Sequence, residues 1–245
     1  NKFFSGAILA GGVSIAVGTA LSLKMKKSKN LVFCSFGESA TDQGIFWESL
    51  NYSSLKNLPI LFICENNNLS VLTPQNKRQS GSSIFNKSKI FGVNSTQIFG
   101  NDPIEAYNAI KKAIQFIKTK KKPFLIEAFT FRTMSHVGPL SDDLSGLKDT
   151  KEFKFWIKNN PRDIFKKLLF ENKFLSKKEF KRMNISAKVK IKKCFSFAKK
   201  SKFPNINEIE KINFNFKKNK AKNKFKRLEK KNNYFGQKII QVKGY

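Results

Sequence analysis

Two short apolar runs, Leu31-Val-Phe-Cys-Ser-Phe36 and Leu58-Pro-Ile-Leu-Phe-Ile-Cys64, stand on either side of a stretch with helical spacing, and this arrangement constrains the chain more than any other feature. Each run is too short for a core helix and is bounded by turn residues, as expected of a buried strand. Between them Asp42 is placed to cap a helix from about Gly44 to Leu55, with Ile45, Phe46 and Leu50 toward a sheet and Glu48 and Asn51 directed elsewhere. Pro59 falls at the beginning of the second strand, where a missing amide is tolerated. Strand, loop, helix, strand is a βαβ unit, a parallel pair joined by a right-handed crossover. Ligands of such sheets sit beyond the carboxyl ends of the strands. Gly37-Glu38-Ser39 and Glu65-Asn66-Asn67-Asn68 both fall on that edge.

Downstream, Gly100-Asn101-Asp102-Pro103 reads as a turn and helix start, and Ile104 to Ile117 repeats apolar residues at helical spacing through Ala109, Ala113 and Ile117. A further strand from Phe124 to Phe131 leads into the loop Thr133-Met-Ser-His-Val-Gly-Pro-Leu-Ser-Asp142, which carries the single histidine, His136. From Lys148 onward Phe, Ile and Leu are spaced among lysines in a helical, amphipathic pattern, broken at Asn159-Asn160-Pro161 and at Phe203-Pro204-Asn205. Lys217 to Lys231 is strongly basic with few apolar anchors, the composition of a flexible or weakly helical tail. The expected organisation is therefore an α/β domain over residues 1–147, a helical part over 148–212 and a basic tail over 213–245. The first residue is Asn1 rather than Met and an apolar stretch begins almost at once, so the α/β domain is expected to be N-terminally incomplete. That stretch, Gly6 to Met25, is interrupted by Gly, Ala, Ser and Thr, which predicts a small-residue helix packed closely against other backbone rather than a membrane span.

The formal charge of +31 raises the question of nucleic acid. The cations, however, are overwhelmingly Lys, with Arg78, Arg132, Arg162, Arg182 and Arg227 as the five arginines, whereas readers of base edges and phosphates favour Arg. Lys, Asn, Ile and Phe are abundant together, a bias of the whole chain rather than a patch, and this argues against a dedicated nucleic-acid binder. Cys34, Cys64 and Cys194 are far apart, odd in number and without a CxxC pair, which supports neither a disulfide framework nor a zinc site and fits a reducing cytoplasm.

One carboxylate, one amide oxygen and loop carbonyls converging at the edge of a parallel sheet are ligands suited to magnesium, which prefers oxygen and commonly shares its shell with a phosphate. The stretch Phe36-Gly-Glu-Ser-Ala-Thr-Asp-Gln-Gly44, followed by Leu58-Pro-Ile-Leu-Phe-Ile-Cys-Glu-Asn-Asn67, resembles the thiamine-diphosphate motif of the alpha subunits of 2-oxoacid dehydrogenases. The family form is Gly-Asp-Gly, a little under thirty residues, then Asn-Asn; Glu38 and Asn67 here stand 29 positions apart. The likeness runs over about residues 6 to 205, including Ala7 to Ala20, Gly100-Asn101-Asp102 and the loop Arg132 to Asp142.

The resemblance implies a thiamine-diphosphate-binding α/β fold with a parallel sheet flanked by helices and a helical C-terminal extension. It implies Glu38, Asn67 and the Leu69 carbonyl as magnesium ligands, and Ser39 and Ala40 amides on the diphosphate. Leu9 would lie beside the aminopyrimidine ring, and His136 would sit at the closing loop near the cofactor and the reacting carbon. The implied activity is oxidative decarboxylation of a 2-oxoacid, pyruvate by default, with acyl transfer to a lipoyl-bearing acyltransferase. The implied assembly is a heterotetramer with a beta subunit that completes the site. Two departures stand out: Glu38 replaces the family Asp, and Ser39 replaces a Gly that permits close backbone approach. They motivate a second expectation, a catalytically inactive paralogue or fragment of the same fold. A third, from the basic tail, is a protein that binds RNA or an anionic surface.

Overall fold

The computed structural model describes residues 3–81, 83–138, 140–141 and 150–203. In chain order these form α1 (Gly11–Met25), β1 (Val32–Gly37), a 3-10 turn (Glu38–Asp42), α2 (Gly44–Leu55) and β2 (Ile60–Asn66). A hairpin of β3 (Leu69–Ser70) and β4 (Thr73–Pro74) follows, then a 3-10 turn (Gln75–Lys77), α3 (Ile84–Ile90), β5 (Asn94–Phe99) and α4 (Pro103–Lys120). β6 (Phe124–Phe129), α5 (Thr150–Lys158), α6 (Pro161–Glu171) and α7 (Lys177–Lys200) complete the described chain. Two compact units result, Asn1–Lys177 and Lys178–Tyr245. Of the second, the described part is residues 178–203, nearly all of it α7, a helix without a buried residue. The basic tail expected over 213–245 lies outside the described residues.

The sheet of the first unit has the order β1-β2-β6-β5, and every pair is parallel. β2 is interior to the sheet and covered on both faces, which is why it reads as an unbroken apolar run. Ile60, Phe62 and Cys64 face a cluster with Val13, Val17 and Ala20 of α1 and Phe46 and Leu50 of α2, while Leu61 faces Ala113 and Ile117 of α4. Leu125 and Ile126 of β6 divide between the same two clusters. Full burial of side chains such as Phe46 and Phe62 contributes about 1.5 to 3 kcal/mol each. The α/β architecture expected from the βαβ pattern is thus the one observed.

Local signals place the helix starts. Asp102 accepts hydrogen bonds from the amides of Ile104 (2.8 Å) and Glu105 (3.2 Å), with Pro103 in the first turn of α4. Asn160 accepts from the Arg162 amide at 3.0 Å, with Pro161 opening α6. Asp42 does not cap α2 as expected. The capping position is Gln43, which makes no side-chain cap bond, and Asp42 is instead drawn to Arg78 and Gln79. A guanidinium offers Asp42 a full opposite charge with its N–H donors, whereas a helix start offers only a partial one. Ile45 was expected to face the sheet and is 41% exposed, because Phe46, Ser49, Leu50 and Ser53 define the buried stripe of α2 one turn-angle away.

The expected limits also move. β1 and β2 each end later than their apolar runs, at Gly37 and Asn66, and β6 ends at Phe129 rather than Phe131. In α1 the close packing is carried by Val13, Val17 and Ala20, and Gly12 and Gly18 have open space where a Cβ would stand. No helix among the described residues is long and apolar enough to cross a membrane. Trp156 of α5 stacks between Phe99 at 5.2 Å and Phe131 at 5.5 Å between ring centroids, which fixes α5 beside the carboxyl ends of β5 and β6.

Candidate functional site

The parallel register aligns Val32 with Ile60 and runs without a slip to Gly37 opposite Glu65. The chain leaving β1 therefore emerges as Glu38-Ser39-Ala40 beside the chain leaving β2 as Asn67-Asn68-Leu69. Glu38 and Asn67 are brought to one edge by sheet geometry alone, at the place where ligands of parallel sheets bind.

Glu38 opens the 3-10 turn and is buried, with its side chain 2% exposed. A carboxylate so placed needs a cationic or hydrogen-bonding partner, because an unpaired buried charge is strongly destabilising. Arg78 provides it: Nη2 donates to Glu38 Oε1 at 2.7 Å, Nη1 pairs with Asp42 Oδ2, and Nε donates to the Thr73 carbonyl at 3.1 Å. Gln79 Nε2 adds a bond to Thr41 Oγ1 at 2.6 Å and another to Asp42 Oδ1. Burial pushes the Glu38 carboxyl above its ordinary range, and Arg78 pulls in the opposite direction. Ser39 is half-buried and Ala40 buried, and both lie within the first turn, whose amides have no partner inside their own helix.

The two asparagines after β2 divide their roles. Asn66 is buried, with Nδ2 donating to Glu127 Oε1 at 2.8 Å and to Gln75 Oε1 at 3.1 Å, while its Oδ1 accepts from the Asn68 amide at 2.9 Å. Asn67 is half-buried, and its Oδ1 accepts from the Leu69 amide at 2.9 Å. An amide oxygen has two lone pairs, so that turn leaves Asn67 Oδ1 an acceptor direction to offer. Leu69 lies opposite Pro74 in the hairpin, and Pro74 has no N–H, so it draws no ladder bond from the Leu69 carbonyl. The available donor set is one carboxylate, one amide oxygen and one carbonyl, all hard oxygens, and it fits magnesium shared with a phosphate. Among the described residues no group of three or more His, Cys, Asp or Glu gathers for a metal held by side chains of those types alone.

Sequence reasoning did not single out the buried network behind this edge. Glu127, fully buried in β6, accepts from Asn66, from the Phe85 amide at 2.9 Å and from Gln97 Nε2 at 3.0 Å. Gln75 Nε2 is buried with no hydrogen-bond partner among the described residues. The legible signal for Glu127 is a lone acid within the apolar run Phe124–Phe129, and for Arg78 it is one of five arginines in a lysine-dominated chain. A cleft of about 330 Å³ opens at the carboxyl ends of β2, β5 and β6, lined by Asn67, Gln75, Gln97, Thr130 and Trp156 among others; Glu38, Ser39 and Ala40 do not line it.

The two remaining predicted residues, Leu9 and His136, are both exposed. Leu9 is 53% exposed in the turn before α1. His136 is exposed in the loop after β6, where the Ser135 amide donates to the Leu140 carbonyl at 2.8 Å, and it makes no hydrogen bond or ion pair with another described residue.

Comparison with known proteins bears on this arrangement. The model of a family described as dehydrogenase E1 component matches residues 1–207. The alpha 2 subunit of mitochondrial 2-oxoisovalerate dehydrogenase from Arabidopsis thaliana is 30% identical over 210 residues, covering 85% of this chain and 44% of that protein. The pyruvate dehydrogenase E1 component subunit alpha of Rickettsia bellii (strain RML369-C) is 28% identical over 210 residues, covering 85% of this chain and 64% of that protein. The chain therefore spans less than two thirds of either relative. An X-ray structure described as a thiamin diphosphate-dependent enzyme from Mycobacterium smegmatis aligns with 49% of this chain and 22% of its own, at 18% identity and a TM-score of 0.40, a likeness too slight to carry an argument.

Proposed function

The chain belongs to the dehydrogenase E1 component family, and from that premise we propose that it forms the magnesium and diphosphate half of a thiamine-diphosphate site in the alpha subunit of a 2-oxoacid dehydrogenase. The observation that supports this most directly is the β1–β2 register, which sets Glu38 and Asn67 at one sheet edge with oxygens that fit the metal. In this reading Glu38, Asn67 Oδ1 and the Leu69 carbonyl hold magnesium, and the Ser39 and Ala40 amides face the diphosphate. Leu9 borders the aminopyrimidine, and His136 belongs to the closing loop.

When bound, the cofactor supplies an electron sink for decarboxylation of a 2-oxoacid. This chain's contribution is positioning and charge. The buried Glu38 carboxylate acts with little solvent screening, so it interacts with a cation more strongly than an exposed acid does. The turns closed by Asn66 and Asn67 hold the ligand loop in shape before anything binds, which lowers the ordering cost of binding. His136, carried on an exposed loop, would orient that loop and help stabilise charge near the reacting carbon once it closes.

We further propose a beta subunit as the partner that completes the site, in a heterotetramer, and a lipoyl-bearing acyltransferase as acyl acceptor in a reducing cytoplasm. The two relatives are named for pyruvate and for 2-oxoisovalerate, and pyruvate is our choice of substrate. A second reading, the fold kept without the chemistry, is favoured by the Arg78–Glu38 ion pair and by Ser39 in place of a glycine.

Calorimetric titration of thiamine diphosphate with magnesium into the complete alpha chain, co-expressed with its beta partner, separates the two readings. Saturable, magnesium-dependent binding that Asn67→Ala removes is expected. No binding by a well-folded assembly would leave the inactive paralogue in front.

A further inference from the structure

Arg78 is held by three acceptors at once. Its fork divides between Glu38 and Asp42, and Nε reaches the Thr73 carbonyl, with the side chain 13% exposed. A lysine would offer its three donors from a single nitrogen, without the planar fork that spreads them across separated acceptors. The residue follows the 3-10 turn Gln75–Lys77, directly after the hairpin that carries the Leu69 carbonyl. One short segment therefore supplies both an oxygen ligand and a cation to the Glu38 carboxylate. The cation occupies Oε1, one of the two oxygens through which that carboxylate could ligate.

We propose that Arg78 is the resident countercharge of the site: its guanidinium and a divalent cation compete for the Glu38 carboxylate, so that a metal bound through Oε1 requires Nη2 to leave that oxygen. The inference rests on the reading of Glu38, Asn67 and Leu69 as the metal site. A buried carboxylate without a countercharge is strongly destabilising, and Arg78 supplies that charge to Glu38. A divalent ion at Glu38 makes that monovalent charge redundant and repels it at short range. Asp42 and the Thr73 carbonyl remain as acceptors for the displaced guanidinium, so release from Glu38 leaves Arg78 with partners.

The test uses the complete alpha chain with its beta partner and Mn²⁺ as a spectroscopic substitute, without thiamine diphosphate. Free Mn²⁺ is counted by electron paramagnetic resonance for wild type, Arg78→Gln and Asn67→Ala. Arg78→Gln is expected to bind Mn²⁺ at least about fivefold more tightly than wild type, an affinity gain of the size typical of coupling between two linked sites. In wild type, mapped phenylglyoxal modification of Arg78 is expected to accelerate with saturating Mg²⁺ relative to Arg162, whose side chain is 73% exposed. Should Arg78→Gln fail to fold, the wild-type modification rates decide the matter. Equal or weaker Mn²⁺ binding by a folded Arg78→Gln, or modification of Arg78 unaffected by Mg²⁺, overturns the competition while leaving the metal site standing. Absence of saturable Mn²⁺ binding in wild type and Arg78→Gln alike overturns the metal reading, and the competition with it.

Discussion

Asn66 Nδ2 donates to Glu127 Oε1 across 2.8 Å, joining the end of β2 to a fully buried carboxylate in β6. The bond ties the turn that presents Asn67 to the middle of the sheet, because Asn66 Oδ1 also accepts from the Asn68 amide. Ligand loop and core are thereby one hydrogen-bonded unit. Replacing Glu127 by Ala takes one acceptor each from Asn66, Gln97 and the Phe85 amide in a buried network, and the expected loss is about 3 kcal/mol. Urea unfolding measures it; a loss under about 0.5 kcal/mol, the size of a neutral surface change, would show that the network carries no stability.

Gly100 sits where the end of β5 meets β6. A Cβ there would lie 2.8 Å from the Phe129 carbonyl and 3.2 Å from Ala128 Cβ, and backbone cannot retreat as a flexible side chain can. Gly100→Ala is expected to destabilise by about 2 kcal/mol. Gly18→Ala, in the interior of α1 with open space around it, is expected to stabilise by about 0.5 to 1 kcal/mol. Thermal unfolding of the two variants side by side should move in opposite directions.

Val71 has φ +53 in the two-residue turn between β3 and β4, a backbone region that a β-branched residue rarely adopts. Glycine at this position removes the clash of Cβ with the following carbonyl. Val71→Gly is expected to raise stability by about 1 kcal/mol, read as an increase in the urea midpoint. An unchanged or lower midpoint would refute the strain.

Cys34 and Cys64 are buried and Cys194 is exposed. Burial pushes the Cys34 thiol up to about 11 and raises Cys64 well above its ordinary value. Thiolate is the reactive form, so both strand cysteines should be inert to a disulfide reagent in the native protein. Titration should count one fast thiol per chain when folded and three when denatured; two fast native thiols would contradict the burial.

The elevated Glu38 carboxyl makes the stability of the fold depend on pH. Burial makes the folded protein hold this proton more tightly than the unfolded chain does. Its contribution to stability is complete below the ordinary carboxylate value and is lost as pH rises through the folded-state value. Urea midpoints of wild type and Glu38→Gln from about pH 4 to about pH 7 should show wild type losing ground as pH rises. Parallel profiles would refute the shift.

The sequence by itself determined the βαβ unit and the edge its two loops share, because both follow from local rules. A strand buried on two faces must be apolar along its length, a helix between parallel strands must return the chain to the same end, and the loops then emerge side by side. Glu38 and Asn67 were legible together on those grounds, with the family resemblance adding their roles. Tertiary structure alone decided the rest. β5 (Asn94–Phe99) is an edge strand in which Ile98 is the buried residue, so its Asn, Ser, Thr and Gln present no apolar run to read. The insertion of β6 between β2 and β5 depends on pairing between segments far apart in the chain. Arg78 reaches Glu38 across forty positions with one terminal nitrogen, and with the other it draws Asp42 away from the helix it was expected to cap. A side chain able to cap locally or to pair with a distant charge carries no mark in the sequence of which it will do; the fold settles it by bringing the guanidinium within reach.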